Sequence, residues 1–258
     1  MRKTADHLTP RGFSLVEMAV VIVVLSIILA VIAQPVANQI ETRRIADTQK
    51  QLEVIKEALY GFALVNKRLP RPVPIPDTRP ATEKGTELAT DCVTDVPCTG
   101  FIPWVTLGID KNDAWGSIIR YSVTPAMTPV TTSAFNLSIG GTKDVVTRNG
   151  AGGVSILASN VAAVVWSHGK RNWGIADAET LVERPNDGVG NIDETRNRNT
   201  LAMLSPAVAG VSTVAGTVVF SRLPTDNAAA PGGEFDDLVS WIPTSILMGK
   251  MVQAGKLP

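Results

Sequence analysis

Arg11-Gly12-Phe13-Ser14-Leu15-Val16-Glu17 opens onto a run from Met18 to Ala33 in which Ser26 is the one polar side chain. Glu17 is the only charged residue between Arg11 and Glu41. A helix from Phe13 to Ala33 rises roughly 31 Å, about the thickness of a bilayer core. Arg2, Lys3 and Arg11 precede the run, and the positive-inside rule keeps residues 1–12 cytoplasmic as a leader. A transmembrane helix over 13–36 is therefore expected. Two plainer readings compete: a cleaved signal peptide, with Val31-Ile32-Ala33 as its small-residue site, and a plain signal anchor. Neither explains a carboxylate near the start of the apolar run, where an unpaired charge is costly.

Beyond Pro35 the pattern changes. Ile45, Leu52, Ile55, Leu59 and Phe62 form one stripe at helical spacing, and Glu41, Arg44, Asp47, Lys50, Glu53 and Lys56 cover the other faces. The periodicity predicts a single helix over 13–67, with an amphipathic half at 37–67. Pro35 is expected to kink it, because it removes a donor and crowds the preceding turn. Pro70, Pro72, Pro74 and Pro76 end the helix and suggest an extended linker over 68–80.

The N-terminal stretch resembles the processing motif of type IV pilins and type II secretion pseudopilins. The resemblance implies cleavage by a prepilin peptidase between Gly12 and Phe13, methylation of the new Phe13 amine, and a role for Glu17 in docking onto a neighbouring subunit. It implies a pilin-like α+β fold, a long N-terminal helix on a mainly antiparallel sheet head. The implied partners are other pilin or pseudopilin subunits, an inner-membrane assembly platform with its ATPase, and membrane lipid. The implied location is single-pass in the inner membrane with a periplasmic head, and then in a filament. Weaker likeness to larger minor subunits lies in Asn66-Lys67-Arg68-Leu69-Pro70, in Asp113-Ala114-Trp115-Gly116 with Tyr121, in Ser167-His168-Gly169-Lys170 and in Phe235 to Pro258. The chain's 258 residues exceed a typical major pilin, which favours a minor subunit.

The head is expected over 81–258. β-rich runs predict strands at Ser117–Val123, Phe135–Ile139, Val154–Leu157, Val161–Trp166 and Val214–Phe220, with turns at Asn149-Gly150 and Gly152-Gly153. Ser240 to Ala254 reads as a short amphipathic helix packing through Trp241, Ile246, Leu247, Met251 and Val252. Cys92 and Cys98 bracket five residues. In an oxidising compartment a disulfide between them persists and stabilises by roughly 2 kcal/mol.

Composition narrows the function. Lys plus Arg equals Asp plus Glu at 24 each, and no basic run carries interleaved aromatics, so nucleic acid is not an expected partner. Two Cys and two His supply a zinc centre poorly. There is no Gly-x-Ser-x-Gly elbow and no phosphate-binding glycine loop. His168 is therefore expected to be structural or in a surface loop, and the chain is not expected to be an enzyme. The oxygen-rich stretch 186–194 makes Asp187, Asn191, Asp193 and Glu194 calcium candidates. It does not follow the EF-hand pattern, and an exposed polar loop is the preferred reading. Glu234, Asp236 and Asp237 carry the same ambiguity. The function expected is a minor pilin or pseudopilin. The alternative is a secreted or membrane-anchored binding module or enzyme that never polymerises.

Overall fold

The computed structural model describes residues 14–129, 136–170, 191–198 and 217–257, the side chains of 30–36 excepted. The leader, Gly12, Phe13 and Asp187 lie outside the described residues, as does the side chain of Pro35. Helix α1 spans Leu15–Asn66 and ends at Lys67, whose φ of 53° leaves the right-handed helical region. The chain divides into two compact units at Arg44/Ile45.

Among the described residues no helix is long and apolar enough to cross a membrane. This corrects the transmembrane reading of 13–36, and with it the single-pass inner-membrane placement and periplasmic head.

The second unit is layered. Its four-stranded antiparallel sheet has the order β1 (Thr99–Phe101), β2 (Arg120–Val123), β5 (Ala163–Ser167), β7 (Leu238–Ile242). A three-stranded sheet has the order β4 (Val154–Val161), β3 (Lys143–Arg148), β6 (Thr217–Phe220). β3 pairs antiparallel with β4 and parallel with β6. Leu52, Ile55, Leu59 and Ala63 of α1 bury against Tyr121, Val123, Ala163, Val165 and Ile242 on one face of the larger sheet. Val164 and Trp166 on its other face meet Val145, Val161 and Val219 of the smaller sheet. β2 and β5 are thus covered on both sides and buried along their whole length, which erases the in–out alternation of a half-exposed strand. The fold is α+β, with the helix packed against a mixed, mainly antiparallel arrangement of strands.

Several local expectations shift. Residues 136–139 form a turn, not a strand: Asn136 Oδ1 accepts the Ser138 N–H at 2.9 Å, the side-chain capture that draws Asn out of strands. The strand at the first run starts at Arg120, later than Ser117. β1, β3 and β7 lie where no strand was expected. The 149–153 turn joins β3 to β4, with the Gly152 N–H on the Asn149 carbonyl at 2.9 Å. Two short helices, α2 (Trp104–Leu107) and α3 (Ile192–Arg198), lie in the connections; at the C-terminal end, residues 238–242 are strand, and the helix, α4, is Thr244–Gln253. It buries Leu247, Met248 and Met251, while Ile246 and Val252 face outward.

The proline segment is packed, not strung out. Leu69 to Val73 are buried. Val73 and Phe101 exchange backbone hydrogen bonds at 2.9 Å, and Tyr121 Oη donates to the Pro70 carbonyl at 3.1 Å. Gly100 is required beneath this strap, because a Cβ there would lie 2.0 Å from the Val73 carbonyl oxygen. Arg68 makes a two-pronged bond to Glu87 at 2.7 and 2.6 Å, and Arg71 reaches Asp91 at 2.9 Å. Prolines suit such a buried path because they bring no N–H to satisfy. A disulfide joins Cys92 to Cys98.

Candidate functional site

Two regions carry chemistry. The first is the start of α1. Ser14 N–H donates to Glu17 Oε2 at 3.1 Å, and Glu17 N–H donates to Ser14 Oγ at 3.1 Å. This is a reciprocal capping box: each side chain satisfies a donor that the helix start leaves open. The signal, Ser-x-x-Glu ahead of an apolar run, stands in the sequence and was overlooked there. The carboxylate also sits at the positive end of the helix dipole. Behind it the large apolar side chains from Leu15 to Leu29 are exposed, Leu15 by 87%. Ser26 Oγ donates back to the Ile22 carbonyl at 2.7 Å, so its hydroxyl is returned to its own helix. The result is an apolar rod with one acidic group at its head.

The second region is a buried polar cluster. His168, expected as structural or in a surface loop, is fully buried. Its Nδ1 lies 3.3 Å from Asp237 Oδ1. Asp237 Oδ2 accepts from Asn197 Nδ2 at 2.7 Å, and Asn197 also grips both backbone groups of Phe220 at the end of β6. Asn197 belongs to α3 (Ile192–Arg198). Glu194, one turn earlier, accepts the Asp236 N–H at 2.7 Å and the Asn191 side-chain amide at 2.8 Å. Asn191, Asp193 and Glu194 are buried, which overturns the exposed-loop reading of that part of 186–194.

Glu194, Asp236 and Asp237 each offer a carboxylate oxygen, all within 4.8 Å of one another. Burial, and then the charge of Glu194, push the Asp237 carboxyl well above its ordinary range. Burial, and then Arg120, push the His168 imidazole down to about 3. Three hard oxygen donors in one pocket can hold a divalent ion, which would relieve the repulsion that Asp237 otherwise relieves by keeping a proton. Arg120 and Arg198 compete with such an ion, since both act on Asp237 from nearby. Of the three calcium candidates among the described residues, only Glu194 joins this cluster. Asp193 is taken by Arg148 at 2.8 Å and Arg222 at 3.1 Å, and Asn191 supports Glu194. No spacing rule links position 194 to 236 and 237; tertiary folding brings them together.

Ser167 does not address His168. Its hydroxyl donates to Asp113 Oδ2 at 2.5 Å and accepts the Gly169 N–H at 3.0 Å. Asp113 Oδ1 accepts the N–H groups of Trp115 and Ser117 at 2.9 and 2.8 Å. The Asp113-Ala114-Trp115-Gly116 segment is thus a turn pinned to the end of β5, and burial raises the Asp113 carboxyl above its ordinary value.

Residues 10–33 match the prokaryotic N-terminal methylation motif. No curated protein and no solved structure matches the chain.

Proposed function

We propose that this protein is a subunit of a filament of the type IV pilus or type II secretion kind, assembled through the N-terminal part of α1. The carrying observation is the methylation motif at 10–33 on a helix whose apolar side chains from Leu15 to Leu29 are exposed. Apolar surface on that scale is buried in a functional assembly, and copies of the same helix supply a matching surface. A prepilin peptidase would cut between Gly12 and Phe13, and the Phe13 amine would be methylated. Glu17 would then accept the cationic amine of the neighbouring subunit, which sets the axial register as each copy docks. The role is structural, not catalytic. Its partners are other subunits and the assembly machinery, with no nucleic acid.

Glu17 also caps its own helix, and two substitutions separate the roles. Glutamine serves a capping box as glutamate does, but carries no charge for the amine. Glu17→Ala and Glu17→Gln are both expected to leave cleavage after Gly12 intact and to lower recovery in sheared filaments. Mass measurement of the N-terminus and quantification of the sheared fraction read the two halves. Normal incorporation of Glu17→Gln would reduce Glu17 to a cap. A wild-type chain that retains Met1 and never enters filaments would favour the non-polymerising module.

A further inference from the structure

We propose that Lys143 and Asp95 condense into an intramolecular isopeptide bond, an amide from Lys143 Nζ to Asp95 Cγ that ties the disulfide loop to the first residue of β3. Lys143 is fully buried, and its Nζ donates to Asp95 Oδ1 and, at 3.1 Å, to Thr217 Oγ1. Asp95 lies between Cys92 and Cys98, within the loop their disulfide closes. Its side chain is only 15% exposed. Its Oδ1 also accepts the Thr142 hydroxyl at 3.0 Å, and its carbonyl accepts the Thr99 hydroxyl at 2.8 Å. Amine and carboxyl are thus held in contact by groups that are themselves fixed.

Three physical arguments favour condensation over a lasting ion pair. Two charges out of water pay a desolvation cost that their attraction repays only in part, whereas an amide is neutral. Burial pushes the Lys143 amine down to about 8, against the opposing pull of Asp95, so roughly a tenth of it is neutral at pH 7. Reactants held in contact gain an effective molarity that separate molecules lack, and exclusion of water disfavours the reverse hydrolysis.

The step balances without a co-reactant. The ammonium passes one proton to the Asp95 carboxylate, leaving a neutral amine against a carboxylic acid. Nζ attacks Cγ, and the developing oxyanion lies beside the Thr142 hydroxyl, while Thr217 accepts an amine hydrogen and orients the lone pair. One C–O bond breaks, and the oxygen leaves as water with a second amine proton. One C–N bond has formed, and nothing is oxidised or reduced.

Intact mass of the purified full chain, reduced and denatured, tests this. The expected value is one water, about 18 Da, below the mass of the uncrosslinked chain. A tryptic digest should hold a branched species joining residues 85–111 to residues 121–148, uncut at Lys143. Lys143→Arg, which keeps the charge but cannot form this bond, should recover the lost water. A full-mass wild type with free peptides on both sides overturns the proposal. So does a water loss that persists in Lys143→Arg, which would be a succinimide at Asp95. The wild-type digest decides alone if the variant does not fold.

Discussion

His168→Gln is expected to remove a pH dependence that the wild-type head carries. The native imidazole sits near 3, while in the unfolded chain it titrates at about 6.5. Between those values the unfolded state binds a proton that the native state refuses, so stability falls as pH falls. From pH 7.5 to 5 the loss from this one group is about 2 kcal/mol, taking 1.36 kcal/mol per pH unit below 6.5. Asp237 runs the other way. Its native carboxyl is raised, so it keeps a proton that the unfolded chain releases above about 4, and that contribution shrinks as pH rises. Glutamine can still hydrogen-bond Asp237, so the Asp237 contribution is common to both proteins. The wild-type-minus-variant difference therefore isolates the histidine. Urea titrations of both proteins at pH 7.5 and 5 give that difference, which should move by about 2 kcal/mol in favour of the variant at pH 5. Parallel pH dependence would refute the reasoning. So would an imidazole resonance, absent from the variant, with a midpoint near 6.5.

Three further outcomes follow from the packing. Leu59 is fully buried between α1 and the larger sheet, so Leu59→Ala should cost about 2–5 kcal/mol in urea with an unchanged slope; a shift below about 1 kcal/mol would place the helix elsewhere. Replacing Cys92 and Cys98 together by serine should cost about 2–4 kcal/mol, because the loop that positions Asp95 against Lys143 opens; an unchanged urea midpoint would remove the disulfide from that role. Millimolar calcium should raise the melting temperature over that in chelator if Glu194, Asp236 and Asp237 take the ion, reflecting a stabilisation of about 2.7 kcal/mol at a hundredfold excess over Kd. Equal melting temperatures would assign the cluster to the proton on Asp237 and to the neighbouring arginines.

The N-terminal motif, the long helix and the buried stripe of Leu52, Ile55 and Leu59 were legible in the sequence because each is local. A 3.6-residue period and a terminating proline run both act within a few turns. The same locality exposed the Asn149–Gly153 turn. Two errors had equally local roots: Asn136 captured a backbone N–H where a strand was expected, and α4 turned Ile246 and Val252 outward because Leu247, Met248 and Met251 fill the core.

What only the tertiary structure decided is non-local. β2 and β5 were expected from their β-rich composition, but their burial on both faces was not, and the second sheet rests on pairing β3 with β6 across some seventy residues, as in Lys143 with Thr217. Pairings at such separation are set by which apolar faces can be buried together, and no short window contains that information. Burial of Lys143 against Asp95, and the meeting of Glu194 with Asp236 and Asp237, depend on it. Charge and residue type stood in the sequence; the loss of water around those groups, which gives them their chemistry, came only from the packing of the two sheets.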